Sequence, residues 1–239
     1  MEKQGIYAYA VVGNRQVKMD DMCLVHYRDL TLVGKMIDVS YFQKELQEAL
    51  KNPKTMETVL TEHQEVLDRL MGETAVVPFQ FGTILKDKEG AVTHLTSSYA
   101  RYKGLLKKFK DREEWGVRIF ADLKKSKVSI VQKSSSGTAY LLRKKQEEET
   151  EESTNEKLTL FSEEILFSLK EFAFEYKVTK SSQRFSEKGE LLISAFAFLL
   201  DTAKIKKFTQ KLAEIEKKYH ECGLRLIRSG PWPAYNFVS

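Results

Sequence analysis

The chain has 239 residues, of which 42% are hydrophobic and 31% are charged, and its formal net charge is +5. This composition is typical of a globular protein with one large domain or two ordinary ones, and no apolar run reaches the roughly 18 residues of a transmembrane helix. The N-terminus lacks the apolar core of a secretion signal and the two cysteines form no CxxC pattern, so we expect reduced thiols and a cytoplasmic protein with no membrane partner.

The first half of the chain predicts an α+β domain spanning residues 1–112. Its strands are indicated by alternating β-forming residues, and its helices by apolar residues spaced three and four apart. Proline at position 78 interrupts one strand because it cannot donate to an inner ladder. In chain order, the expected elements are strands at 5–12, 22–26 and 30–39, helices beginning at the cap Ser40 and at Asn52-Pro53, a strand broken by Pro78, and a helix over 90–110.

The second half, residues 113–239, predicts the order β-α-β-β-α-β of a ferredoxin-like domain. The acidic stretch at 146–157 is predicted to be a solvated helix face or a variable, mobile insert. In chain order, the expected elements are a strand at 115–122, a helix entered through 134–145 and resumed at Leu158, strands at 172–180 and 190–200, a helix capped by Asp201 and ended by Gly223, and a strand at 224–228.

Residues 229–239 form an aromatic segment with the sequence SGPWPAYNFVS. Its two prolines limit the freedom of the unfolded chain. Because the last strand of a ferredoxin-like domain pairs inside the sheet, we expect Trp232, Tyr235 and Phe237 to fold back over a hydrophobic surface. Recognition of a partner is the alternative role for this segment.

The sequence contains no complete motif of catalytic or metal-binding residues. The four histidines have no HExxH motif and no cysteine partners at metal spacing, Gly34-Lys35 lacks the rest of a phosphate-binding loop, and GxSxG is missing. His63 is the most tempting ligand or base, but its place on an apolar helical stripe favours a core histidine. The sequence therefore predicts no enzyme, no catalytic residue, no cofactor and no metal.

A ferredoxin-like sheet that binds RNA exposes aromatic side chains on its central strands. Phe196 and Phe198 share one face of the predicted strand ELLISAFAFLL, but both faces are apolar and the neighbours are Leu and Ser. Such a strand is either covered on both sides or presents an apolar patch to a partner. We expect no nucleic-acid partner, and a nucleic-acid-binding or regulatory ferredoxin-like module remains the alternative function.

Several motifs occur together in one order along nearly the whole chain. They are GIYAYAVV at 5–12, HQEVL at 63–67, PFQFGT at 78–83, WGV at 115–117, SSGTAYLLRKK at 135–145 and GPWPAYNFV at 230–238. With these motifs the sequence resembles the gas vesicle protein F/L family. Gln80 stands where many members carry arginine, and Gln64 stands where glutamate is common, but neither departure disturbs the expected fold.

The resemblance implies a non-enzymatic accessory or minor structural protein of gas vesicles, the hollow protein shells that make microbes buoyant. It implies two α+β domains, the second ferredoxin-like, and binding to the small hydrophobic shell protein and to other accessory proteins during nucleation or assembly of the vesicle. The expected location is the gas vesicle within the cytoplasm. The candidate partner-binding residues are Phe196, Phe198, Trp232, Tyr235 and Phe237, although packing between the two domains explains the same residues.

Overall fold

A computed structural model describes residues 4–13, 19, 21–123, 125–126, 141–180 and 184–238, the side chains of 141–153 excepted. The chain divides into two compact units, Met1–Glu113 with Trp232–Ser239, and Glu114–Pro231. The boundary that we expected after residue 112 lies beside this division. The aromatic segment differs from expectation, because it belongs to the first unit and not to the ferredoxin-like one.

The first unit contains a five-stranded sheet in the order β2-β3-β1-β4, with β5 also paired to β1. Helices α2 and α4 both contact the central strand, whose residues from Gly5 to Val12 are all buried. The alternation that predicted this strand therefore does not mark a solvent face. The elements of the unit are β1 Gln4–Gly13, β2 Cys23–Tyr27, β3 Leu30–Asp38, α1 Val39–Lys51, α2 Pro53–Glu73, β4 Val76–Pro78, β5 Ile84–Leu85, α3 Lys88–Ser97 and α4 Tyr99–Phe109.

The helix boundaries of the first unit follow local capping chemistry. Asp38, and not the expected Ser40, caps α1, because its carboxylate accepts a hydrogen bond from the backbone N–H of Tyr41 at 2.8 Å. Asn52 caps α2 and Pro53 occupies the first helical position, as the sequence predicted. The helix expected over 90–110 is two helices that meet at Ser98.

The second unit contains a four-stranded sheet in the order β7-β8-β6-β9, which is the ferredoxin-like order. The core lies between this sheet and two helices, and it includes Ile165 and Leu169 from one helix and Phe208 and Leu212 from the other. The elements are β6 Arg112–Ala121, α5 Leu141–Lys170, β7 Ala173–Val178, β8 Leu191–Asp201, α6 Ile205–Tyr219 and β9 Leu224–Trp232.

The helix boundaries of the second unit differ in part from those predicted. Asp201 makes no side-chain capping bond, because a 3-10 turn over Thr202–Lys204 precedes α6. Gly223 ends the following turn with a φ of 77°, the left-handed conformation that favours glycine. The acidic stretch at 146–157 is part of the continuous helix α5, whereas the helix start expected at 134–137 lies outside the described residues.

Candidate functional site

Two of the five candidate partner-binding residues lie in the core of the second unit. Phe196 is 4% exposed and Phe198 is 0% exposed, and the ring of Phe198 packs 5.3 Å from that of Phe208 on α6. Both rings therefore belong to a covered strand inside the second unit, and not to an exposed apolar patch or to packing between domains. Neither ring offers a surface to a partner protein or a platform for stacked bases.

The aromatic segment is anchored to α4 of the first unit. Phe237 is fully buried, and Nζ of Lys108 lies 5.6 Å from the centre of its ring. The backbone carbonyl of Phe237 accepts a hydrogen bond from Lys108 at 3.3 Å, and that of Val238 accepts one from Arg101 at 2.6 Å. Phe237 therefore acts as a core residue of the first unit, while Trp232 remains 39% exposed.

A chain of hydrogen bonds joins the same segment to α2 and β1 through His63. The hydroxyl of Tyr7 lies 2.7 Å from Nδ1 of His63, and the hydroxyl of Tyr235 lies 3.1 Å from Nε2. The backbone N–H of Gly82 points at the Tyr7 oxygen from 3.4 Å. Because the Tyr7 oxygen accepts from Gly82, we assign Tyr7 as the donor to Nδ1, and Nε2–H then donates to the Tyr235 oxygen.

Aromatic rings enclose the imidazole of His63, which is 5% exposed. The ring of Tyr9 stacks on it at 5.3 Å, and the ring of Phe81 meets it edge-on at 5.4 Å. Burial in these apolar surroundings lowers the pKa of His63 to about 4 and raises the pKa of Tyr7. His63 is therefore neutral near pH 7 and works as a structural bridge, in agreement with the core role that its position on the stripe favoured.

An open groove of about 790 Å³ lies beside this bridge, on the surface of the first unit. The apolar side chains along it include Leu60, which is 42% exposed, and Trp232. The lining comes from α2, the loop after β4 and the aromatic segment, and its main residues are Met56, Leu60, His63, Phe81, Trp232 and Tyr235. The lining also includes four polar residues, Glu57, Thr61, Gln64 and Gln80.

The sequence named Trp232 and Tyr235 as candidate contacts, and the structure brings both to this groove. The sequence did not identify Met56, Leu60 or Phe81 as groove residues. Met56 and Leu60 fit the apolar stripe that predicted the buried face of α2. The sequence feature that could have identified them was the width of the apolar stripe on α2. Residues at its margin are too far around the helix to be covered by a single sheet.

The described part of the chain lacks two features that would indicate particular chemistry. Within it, no group of three or more His, Cys, Asp or Glu side chains is placed to hold a metal ion. None of its helices combines the length and apolarity that crossing a membrane requires. The groove itself has a largely apolar lining with a few polar residues.

The family model described as gas vesicle synthesis protein GvpL/GvpF matches residues 5–239. The chain belongs to this gas vesicle family. A curated relative, gas vesicle protein L of Streptomyces sp. (strain CB03234), is 22% identical over 222 residues, which cover 90% of this chain and 82% of the relative. The resemblance found from the sequence motifs is thereby confirmed.

Solved structures of two family members share the fold. The crystal structure of gas vesicle protein GvpF from Anabaena sp. PCC7120 has a TM-score of 0.76 at 20% identity, with 99% of this chain and 96% of that chain covered. The crystal structure of GvpF from Microcystis aeruginosa has a TM-score of 0.69 at 15% identity, with 98% and 99% covered. The two-domain α+β fold expected for the GvpL/GvpF family is therefore confirmed for this member.

Proposed function

We propose that this protein is a non-enzymatic accessory or minor structural protein of gas vesicles that binds the small hydrophobic shell protein and supports nucleation or assembly of the vesicle. The observation that carries the proposal is the family match over residues 5–239. In this proposal the protein works with other gas vesicle accessory proteins, in the cytoplasm or on the vesicle itself.

The physical task follows from the chemistry that the family resemblance implies for the shell protein. A small amphipathic shell subunit aggregates when its apolar face stays exposed before assembly. A folded protein that covers part of this face, or presents subunits in a fixed arrangement, removes that hazard and favours ordered growth.

We infer that the groove beside His63 is the contact surface for an apolar segment of the shell protein. Its size and its apolar lining with few polar groups are those of a site that buries a hydrophobic ligand. The exposed fractions of Leu60, 42%, and Trp232, 39%, leave apolar area that a partner can cover. Of the five candidate contact residues, this proposal keeps Trp232 and Tyr235.

A flotation experiment tests the general function. The tagged protein is expressed in cells that build gas vesicles, the vesicles are floated and washed with urea, and tag and shell protein are measured in the vesicles and in the supernatant. Tag retained on washed vesicles supports a structural component, and tag bound to shell protein in the supernatant supports an assembly factor. Tag associated with neither contradicts the proposal.

A pair of matched substitutions tests the groove. Leu60→Glu places a charge in it, whereas Leu50→Glu places the same charge on α1, where Leu50 is 68% exposed and does not line the groove. We expect both variants to fold, as judged by thermal unfolding, and only Leu60→Glu to lose co-purifying shell protein. Equal retention by the two variants would assign the contact to another surface.

A further inference from the structure

The strand β7 lies at one edge of the described sheet of the second unit, where it pairs with β8. Along it, Phe174, Tyr176 and Val178 are 52%, 41% and 68% exposed. The intervening Glu175 and Lys177 are half-buried. A row of exposed apolar side chains on an edge strand favours the addition of a strand from another chain.

The hydrogen bonds between β7 and β8 indicate which backbone groups point to the edge. The N–H of Thr179 donates to the carbonyl of Ala195 at 2.9 Å. In the alternating ladder of an antiparallel pair, Lys177 then also bonds to β8. Tyr176 and Val178 therefore direct their N–H and C=O groups away from β8, toward the side of the strand that has no partner among the described residues.

The charges on β7 select one partner and one register. When a second copy of β7 runs antiparallel to the first with the twofold axis at Tyr176, Glu175 lies opposite Lys177 of the second copy, and Lys177 lies opposite Glu175. The two Tyr176 residues form a hydrogen-bonded pair, and each Phe174 faces Val178. Both oppositely charged pairs and the whole apolar row are then matched across the junction.

The neighbouring registers do not have this property. A twofold axis at Glu175 or at Lys177 places two like charges directly opposite each other, and a parallel in-register pairing aligns every residue with its own copy. Like charges that face each other across a strand pair are destabilising. Opposite charges therefore meet in the antiparallel register centred on Tyr176.

We propose that β7 is a self-association surface, through which two copies of this chain join antiparallel strands about Tyr176 into one continuous sheet. Because the junction is a twofold one, each copy uses its β7 edge once and the assembly closes as a dimer. The proposal is independent of shell-protein binding and gives the assembly two copies of the groove.

Sedimentation equilibrium of the full chain over a range of concentrations tests the proposal. We expect the wild-type protein to show a monomer–dimer equilibrium. Glu175→Lys and Lys177→Glu each place like charges opposite each other at both pairs, so each is expected to raise the dimer dissociation constant roughly tenfold or more. The double variant Glu175→Lys/Lys177→Glu restores opposite charges and is expected to restore the wild-type constant.

Association in a mixture of the two single variants is the most discriminating test of the proposed pairing. In an equimolar mixture, the Glu175→Lys chain and the Lys177→Glu chain present complementary strands, so we expect a heterodimer of wild-type affinity. Glu175 and Lys177 also have interactions within their own chain. Mixing the variants does not restore an intrachain interaction that a substitution removes, so recovery of affinity in the mixture reports on the pairing between chains. Glu187→Lys and Lys188→Glu, at exposed positions outside β7, change the net charge equally and are expected to dimerise as the wild type does.

Three outcomes overturn the proposal. The first is a wild-type protein that stays monomeric over its whole range of solubility. The second is a dimer whose affinity is unchanged in both single variants, because its interface then lies elsewhere. The third is a mixture of the single variants that associates no better than either variant alone.

Discussion

Nε2 of His63 on α2 lies 3.1 Å from the phenolic oxygen of Tyr235, although the two residues are 172 positions apart in the chain. This contact ties the aromatic segment to the helix that forms one wall of the groove. Since both residues also line the groove, the stability of the first unit and the shape of its candidate binding surface depend on the same few side chains.

The buried imidazole predicts a specific acid sensitivity. An unfolded chain protonates histidine near its ordinary pKa of about 6.5, whereas burial lowers the pKa of His63 in the folded protein to about 4. Between these pH values the unfolded state binds the extra proton, so acidification favours unfolding. The contribution of His63 is constant above about pH 6.5 and falls by up to about 3 kcal/mol toward pH 4.

Urea unfolding at several pH values measures this effect. We expect His63→Gln to flatten the decline of unfolding free energy between pH 7 and pH 4.5 relative to the wild type. The control His220→Gln, at an exposed position, is expected to keep the wild-type slope. An identical slope in wild type and His63→Gln would show that His63 does not carry the acid sensitivity.

Removal of one hydroxyl tests the bridge itself. Tyr235→Phe deletes the acceptor of Nε2–H and leaves that donor without its partner, at an expected cost of about 1–3 kcal/mol in unfolding free energy. Tyr41→Phe, on α1, removes a hydroxyl from a tyrosine that is 63% exposed, and we expect a change within about 0.5 kcal/mol. Chemical denaturation that gives equal values for the two variants would contradict the role of the bridge.

Phe237 provides a test of the unit to which the aromatic segment belongs. Because the ring is fully buried, Phe237→Ala is expected to cost about 3–5 kcal/mol, whereas Phe185→Ala, at a position 56% exposed, should cost far less. In native-state hydrogen exchange, Phe237→Ala should accelerate the amides of β1. Acceleration confined to β8 would place the segment with the second unit instead.

Two glycines are expected to respond to alanine in opposite directions. Gly104 lies inside α4 with nothing within 4 Å of an added Cβ, so Gly104→Ala should stabilise the protein by about 0.5–1 kcal/mol. A Cβ at Gly34 would lie 2.5 Å from Cγ2 of Ile6 and 2.8 Å from the carbonyl oxygen of Tyr7, so Gly34→Ala should destabilise it by about 1–3 kcal/mol. The unfolding temperatures of both variants, compared with that of the wild type, measure these effects. A change of the same sign in both variants would refute the packing argument.

Local chemistry predicted much of the fold. The start of α2 follows from Asn52 and Pro53, and the end of the turn after α6 follows from Gly223, because each of these residues has a strong conformational preference of its own. The predicted N-cap of α1, Ser40, lies two residues after the observed one, Asp38. Both residue types are good N-caps. The choice between them depends on where β3 stops pairing with β1, which is a tertiary property.

The candidate site was only half predictable for a similar reason. Composition indicated that Trp232, Tyr235 and Phe237 would bury apolar surface, but not the surface against which they would pack. Their covering surface is supplied by α2 and α4, more than a hundred positions earlier in the chain. For Phe196 and Phe198, a strand that is apolar on both faces does not reveal from sequence which face its neighbours cover.

The first unit is discontinuous in the chain, because residues from Trp232 onward complete a body that otherwise ends at Glu113. During synthesis on the ribosome, the earlier residues emerge long before the segment that supplies Phe237 and the partner of His63. The second unit is contiguous and has all its residues available first. A nascent first unit therefore stays incomplete, with part of its core exposed, until the whole of the second unit and the segment from Trp232 onward have been synthesised.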